Sequence, residues 1–179
     1  GGEKWARYSF LGYDPVMRVT CRNGLVTIES SMQEIPSQTI TTSQPLQVLR
    51  EILNRYQSPR LEGEPPFTGG FVGYFAYAMI GYAEPTLHIS RGEANDYDLM
   101  LFDKVIAYDH LKQKIGIVVN MRTGRPVLNQ SGSRGLVTIN PPSPDSRPKE
   151  TQYLEYLMKE YGRACGEIEA IASLIHETA

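Results

Sequence analysis

At 179 residues, with 18 Lys and Arg against 20 Asp and Glu for a net charge of −2, the chain is long enough for one domain with a sizeable core and carries no electrostatic footprint for nucleic acid or an anionic membrane. No apolar run approaches the roughly 20 residues that span a bilayer, and no signal-peptide core opens the chain. Two distant cysteines, Cys21 and Cys165, with no Cys/His cluster, argue against a zinc site and for a reduced, cytoplasmic protein.

Gly1 starts no methionine-led chain, and Ala6 to Phe10 already reads as the inside of a strand, so a fragment is expected. Trp5 to Gly12 is rich in strand formers and stops at the turn initiator Asp14-Pro15. Val16 to Arg22 and Leu25 to Glu29 alternate around Asn23-Gly24, a dipeptide suited to a type I′ hairpin turn. Ser30 to Thr42 is polar and aperiodic and reads as a loop with a short strand near Ile35. Ser43 is the expected N-cap of a helix with Pro45 in its first turn. Leu46, Leu49, Ile52, Leu53 and Tyr56 form its apolar stripe, and it ends near Ser58-Pro59.

Turn residues Pro65, Pro66, Gly69 and Gly70 then lead into Phe71 to Tyr77, where both alternating positions are apolar. This reads as the central strand, covered on both sides, with Phe71, Phe75 and Tyr77 facing one way and Val72 and Tyr74 the other. Gly73 leaves room for close backbone approach. Ala78 to Glu84 fits about two helical turns stopped by Pro85. Thr86 to Asp96 is a loop with a possible edge strand at Leu87 to Ile89. Leu99 to Phe102 and Val105 to Tyr108 are either one bent strand or two, and Ile115 to Val119 returns as an antiparallel partner.

These elements describe an α+β fold, mostly antiparallel sheet packed with helices. The expected organisation is a sheet-and-helix domain over 1–121, a Pro/Gly/Ser-rich linker or insertion over 122–150 with a short strand at Leu136 to Ile139, and an amphipathic helix over 151–179. Leu154, Leu157, Met158, Tyr161, Cys165, Ile168, Ile171, Ala172 and Ile175 trace that helix's apolar stripe, with Gly162 and Gly166 marking a kink or a close crossing.

No active site emerges from these patterns. Gly69-Gly70-Phe71-Val72-Gly73 matches neither a P-loop nor the dinucleotide fingerprint, so turn entry is the better reading. His88, His110 and His176 fall where solvated surface is expected. Asp98, Asp103 and Asp109 sit at strand edges, and Cys165 lies on the apolar stripe. Arg7 stands out among Trp5, Tyr8 and Phe10, because an arginine on an apolar strand needs a carboxylate or a path to solvent. An internal Asp or Glu satisfies that need, and so does the carboxylate of an amino-acid ligand.

Glu3-Lys4-Trp5-Ala6-Arg7-Tyr8-Ser9-Phe10-Leu11-Gly12, Pro66-Phe67-Thr68-Gly69-Gly70-Phe71-Val72-Gly73-Tyr74-Phe75-Ala76-Tyr77 and Asp98-Leu99-Met100-Leu101-Phe102-Asp103 together resemble the N-terminal domain of anthranilate synthase component I. Tyr161 to His176 resembles the segment leading to the catalytic part of that family. The family usually has Asp where this chain has Ala78, and its Leu-Leu-Glu-Ser effector segment would precede Gly1.

The resemblance implies an α/β/β/α sandwich completed by a C-terminal catalytic domain absent from this chain. That domain would bind chorismate and Mg2+ and hold all catalytic residues, and this chain holds no cofactor of its own. A glutamine amidotransferase subunit, component II, would supply ammonia. L-tryptophan would act as feedback effector, with Arg7 and Ser9 as polar contacts and Tyr8 and Trp5 as the apolar wall. No nucleic acid or membrane partner is expected. Aminodeoxychorismate synthase component I, in the folate pathway, and a stand-alone module binding an amino acid or a partner are the alternatives.

Overall fold

The computed structural model describes residues 7–32, 35–87, 89, 92–123 and 150–177, side chains of 150–152 excepted. The expected strand at Leu136 to Ile139, nearly all of the 122–150 segment, Trp5 and His88 lie outside them.

Among the described residues eight strands form two antiparallel sheets. The larger runs β4 (Gln38–Thr41), β3 (Leu25–Ser30), β2 (Met17–Arg22), β6 (Tyr97–Phe102) and β5 (Gly70–Phe75), in that spatial order. The smaller runs β1 (Tyr8–Gly12), β7 (Lys104–Asp109) and β8 (Lys114–Val119). Helix α1 spans Pro45–Arg55, a 3-10 turn at Tyr77–Met79 leads into the short α2 (Ile80–Ala83), and α3 spans Glu150–Glu177 along β8. The mixed α+β class with antiparallel sheets is as expected.

The core lies on one face of the larger sheet. Strand alternation points Met17, Val19 and Cys21 of β2, Val26 and Ile28 of β3, and Tyr97, Leu99 and Leu101 of β6 inward, where they pack with Val48, Leu49 and Ile52 of α1. Ser43 does not cap α1. The helix follows Gln44 without a side-chain cap, and Pro45 in the first turn removes one donor that would need capping. The buried stripe is Val48, Leu49 and Ile52, with Leu53 turned to solvent. The β2–β3 hairpin turns as its dipeptide predicts: Asn23 has φ 54° and Gly24 φ 78°.

Two expectations are corrected. β5 is the edge strand of its sheet, not the centre, and Val72, Tyr74 and Phe75 are about half exposed. Its alternation is as expected for Phe71 to Phe75, but Tyr77 has left the strand and is 82% exposed. Apolar residues on both faces indicate a strand made for cover without saying what supplies it. Secondly, the strand of the segment before α1 lies at Gln38–Thr41, beyond the buried Ile35.

The open choice between one bent strand and two resolves as two. The chain leaves the larger sheet at the end of β6, passes Asp103 and enters the smaller sheet as β7. Asn120 fastens this crossing: its backbone N–H donates to the Asp103 carbonyl at 2.8 Å, and its side-chain amide donates to the carbonyls of Thr68 and Asp103 at 2.7 and 3.1 Å. Gly69, at φ 143°, sits so close that a Cβ there would lie 2.7 Å from that amide.

The stripe expected on α3 is only partly covered. Ala164 and Ile171 are buried, whereas Leu154, Tyr161 and Met158, the last 76% exposed, face solvent. Nothing lies within 4 Å of a Cβ built at Gly162 or Gly166, so no close crossing occurs there among the described residues. No helix among them is long and apolar enough to cross a membrane.

Candidate functional site

The expected effector strand is β1, an edge strand of the smaller sheet. Tyr8 pairs with Asp109 and Ser9 with Tyr108, and directly opposed residues share a face. Tyr8, Phe10, Ala107 and Asp109 therefore look one way, and Ser9, Leu11, Ile106 and Tyr108 the other.

Arg7 precedes the strand, held by a hydrogen bond from the His110 N–H to its carbonyl at 2.8 Å. Its side chain reaches the Asp109 face. Nε donates to Asp109 Oδ1 at 3.1 Å and Nη2 to Oδ2 at 2.7 Å, the bidentate geometry that a planar guanidinium favours. The guanidinium carbon also lies 4.9 Å from the centre of the Tyr8 ring. Asp109, itself 7% exposed, takes two further bonds on Oδ1 from the N–H groups of Leu111 and Lys112 at 3.0 and 3.1 Å. The Arg7 hydrogen bonds, with these backbone donors, hold the Asp109 carboxyl well below the usual carboxylate range. Of the two partners considered for Arg7, the internal carboxylate is present, 102 residues away in sequence.

An aromatic row continues from this ion pair. Tyr8 and Phe10 stack with centres 5.9 Å apart, and Phe67 meets Phe10 edge-on at 5.6 Å. Phe10 remains 40% exposed.

On the opposite face Ser9 Oγ lies 2.7 Å from His110 Nε2, and the His110 ring stands edge-on to Tyr108 at 4.8 Å. Arg7 and Tyr8 are thus brought together, while the Ser9 hydroxyl is separated from them by the sheet. Asp109 and His110 went unselected as partners, because no local spacing links them to β1; the one available signal was the lone arginine in search of a carboxylate.

Two other polar clusters were also not anticipated as units. Asp96, 3% exposed, gathers the Tyr82 hydroxyl and the Asn23 N–H at 2.7 and 2.8 Å and the Cys21 thiol at 3.7 Å, all on Oδ2. Its own N–H donates to the Cys21 carbonyl and its carbonyl accepts from Ala76 N–H, each at 2.7 Å. Burial, then the bond to Asp96, pushes the Tyr82 hydroxyl up, and burial likewise pushes the Cys21 thiol up. Cys21 is a buried core thiol in a neutral state, not a nucleophile.

The second cluster joins the smaller sheet to α3. Lys104 Nζ lies 3.0 Å from Asp14 Oδ2 and 3.5 Å from Glu167 Oε2, and Arg163 bridges Glu160 and Glu167. Burial works against the Lys104 charge, but the Asp14 bond and the nearby carboxylates outweigh it and raise its pKa. Among the described residues Asp103 Oδ1 is buried without a hydrogen-bond partner, and burial raises the Asp103 carboxyl. Beside this cluster an apolar hollow of 290 Å³ is lined by Tyr13, Ile106, Ile171, Leu174 and Ile175.

Asp98 forms a bidentate pair with Arg18 on the outer face of the larger sheet. His176 sits in the last turn of α3, and Cys165 is half-buried. Among the described residues no group of three or more His, Cys, Asp or Glu could hold a metal ion. The magnesium implied by the resemblance is expected in the C-terminal catalytic domain and not in these residues.

No family model matches the chain. It is 35% identical over 123 residues to anthranilate synthase component 1 of Acetivibrio thermocellus, covering 68% of this chain and 24% of that protein. It is 34% identical over 131 residues to the protein of the same name from Acinetobacter calcoaceticus, covering 69% and 26%. The crystal structure of anthranilate synthase component I from Streptococcus pneumoniae TIGR4 shares the fold at a TM-score of 0.51 and 23% identity, over 92% of this chain and 30% of that one. The chain thus spans about a quarter of the length of the curated relatives it matches.

Proposed function

Because the chain is an anthranilate synthase component I N-terminal domain by homology, we propose that it is the structural and regulatory part of an enzyme converting chorismate and ammonia to anthranilate and pyruvate in tryptophan biosynthesis. In this reading catalysis and magnesium binding belong to the portion of the relatives that this chain does not match. Ammonia comes from glutamine through a component II subunit. Identity of 34–35% to proteins of this name carries the proposal.

Partly covered apolar surface on β5 and α3 supports it, since Val72, Tyr74, Phe75, Leu154 and Met158 form the kind of surface a further domain would cover. Feedback by tryptophan is proposed at Arg7, Tyr8 and Trp5, without Ser9, whose hydroxyl lies across the sheet from Arg7, and the physical core is a charge-assisted bond from the Arg7 guanidinium to an amino-acid carboxylate.

Product analysis of the complete polypeptide with chorismate and ammonia tests the activity. Fluorescent anthranilate with release of pyruvate is the expected outcome. An amino product formed without pyruvate release would assign the chain to the folate branch instead. For the effector, Arg7→Ala is expected to weaken tryptophan inhibition about tenfold or more, the scale of one lost charge-assisted contact. Inhibition unchanged in that variant would sink the effector assignment.

A further inference from the structure

We propose that the charged junction between the smaller sheet and α3 is a proton-operated latch, in which one proton taken up at Asp103 as the pH falls from neutral seats α3 more firmly on the sheet. The junction is built largely from ionised groups, so the balance of its charges decides how tightly it closes.

Among the described residues the carboxylates of Asp14, Asp103, Glu160 and Glu167 meet the cations Lys104, Arg122 and Arg163 there. Asp14, in the turn after β1, and Glu167 of α3 share Lys104 at the start of β7, while Glu167 and Glu160 share Arg163 on α3 itself. Asp103, at the crossing between the sheets, feels Lys104, Glu167, Arg122 and Arg163, and the Tyr13 ring lies 5.5 Å from Lys104 Nζ. The set carries one negative charge in excess, and the excess shows in the hydrogen bonding. Asp103 Oδ1 and Glu167 Oε2 are buried without a hydrogen-bond partner among the described residues, and Lys104 comes no nearer than 3.5 Å to Oε2. A buried acceptor without a donor is costly, and a proton supplies both the missing charge and a donor.

Asp103 is the seat of that proton. The Asp14 side chain is 75% exposed and hydrated, and Glu167 is held by both Lys104 and Arg163. Burial raises the Asp103 carboxyl, Lys104 opposes the rise, and Glu167 adds to it against Arg122 and Arg163. Because Glu167 belongs to α3, lifting the helix away removes that charge and admits water, and the carboxyl falls back toward its ordinary value of about 3.9. The seated form therefore binds the proton more tightly, so uptake favours seating. The gain is lost as pH rises through the seated value and is complete once pH is below the ordinary one. Histidine also titrates below neutral pH, and His176 stands in the last turn of α3, where a positive charge suits the helix end, so its effect must be separated from that of Asp103.

Amide hydrogen exchange of α3 in the complete polypeptide, followed from about pH 7.5 to about pH 5 and corrected for the intrinsic exchange rate, reads the seating. Protection of α3 is expected to rise about threefold or more toward the lower pH, with no such rise in β2 or β6. Asp103→Asn is expected to abolish the slope and to show at neutral pH the protection that the unaltered protein reaches only in acid. Glu167→Gln should move the rise to lower pH, and His176→Gln should leave it in place. A flat profile in the unaltered protein, a rise that survives Asp103→Asn, or one that disappears in His176→Gln overturns the latch. Should Asp103→Asn fail to fold, Glu167→Gln decides, and a rise at unchanged pH in that variant overturns the proposal.

Discussion

In the larger sheet the inward positions of β2, β3 and β6 are filled by Val19, Cys21, Val26, Ile28, Tyr97 and Leu99 beneath α1. The smaller sheet meets α3 through apolar side chains as well, Ile106 and the buried Ile171 among them, but adds charge at the junction: Lys104, Asp14, Glu167 and Arg163 link the two, and among the described residues Asp103 Oδ1 and Glu167 Oε2 lie buried without hydrogen-bond partners. Apolar burial stabilises at roughly 25 cal/mol per Å² removed from water. A charge taken out of water must first recover its lost hydration from its partners, so the net gain is small or negative. The contrast assigns stability to the larger sheet and leaves the smaller one, which carries β1, the easier region to reshape.

Replacing Ile52 with Ala attacks the first half of that comparison. Ile52 is fully buried between α1 and the larger sheet, so the lost transfer energy adds to that of the cavity left behind. Urea unfolding should show a loss of about 4 kcal/mol. A loss below about 1 kcal/mol would mean that the cluster under α1 is not the centre of stability.

Asp96→Ala sharpens the comparison by asking whether polar burial costs the same in both sheets. Asp96 ties the β2–β3 turn, the end of β5 and Tyr82 of α2 to the start of β6. Truncation leaves the Tyr82 hydroxyl and the Asn23 N–H without this acceptor, and the expected loss is about 3 kcal/mol by the same measurement. A change within experimental error would show that water replaces the carboxylate freely and that the cluster is not closed.

The legible parts of this fold were those whose cause is local. Asn23-Gly24 specifies its hairpin because both residues accept positive φ, and Pro45 marks the start of α1 because its missing N–H suits a first turn. The position of β5 was not legible. Phe71, Val72, Tyr74 and Phe75 alternate as a doubly covered strand would, yet the strand stands at an edge, because composition records that a surface is apolar and not which partner meets it. Nor could spacing tell that Phe102 ends one sheet and Lys104 begins another. Arg7 was legible as an arginine in need of a carboxylate, but its partner lies 102 residues away. The separation of Ser9 from Arg7 depends on register with β7, which no property of β1 determines.

Asp103→Asn probes the second half of the comparison, and here the expected effect is smallest and of opposite sign. Burial raises the Asp103 carboxyl above its ordinary range, partly opposed by Lys104, and Glu167 adds to the rise. The folded protein therefore holds the Asp103 proton more tightly than the unfolded chain does. Its stabilising contribution is fully present below the ordinary carboxylate pKa of about 3.9 and is lost as pH rises through the higher folded value. Near neutral pH the ionised carboxylate is a net cost, with Oδ1 buried and unpartnered among the described residues, and an amide in its place removes the charge while leaving the main-chain carbonyl that accepts from Asn120. Thermal unfolding should show a slightly higher Tm for the variant at pH 7, with the advantage fading as the pH is lowered toward 3. A lower Tm at pH 7 would mean that attraction to Lys104 outweighs burial, and the junction between the smaller sheet and α3 would then be a source of stability in its own right.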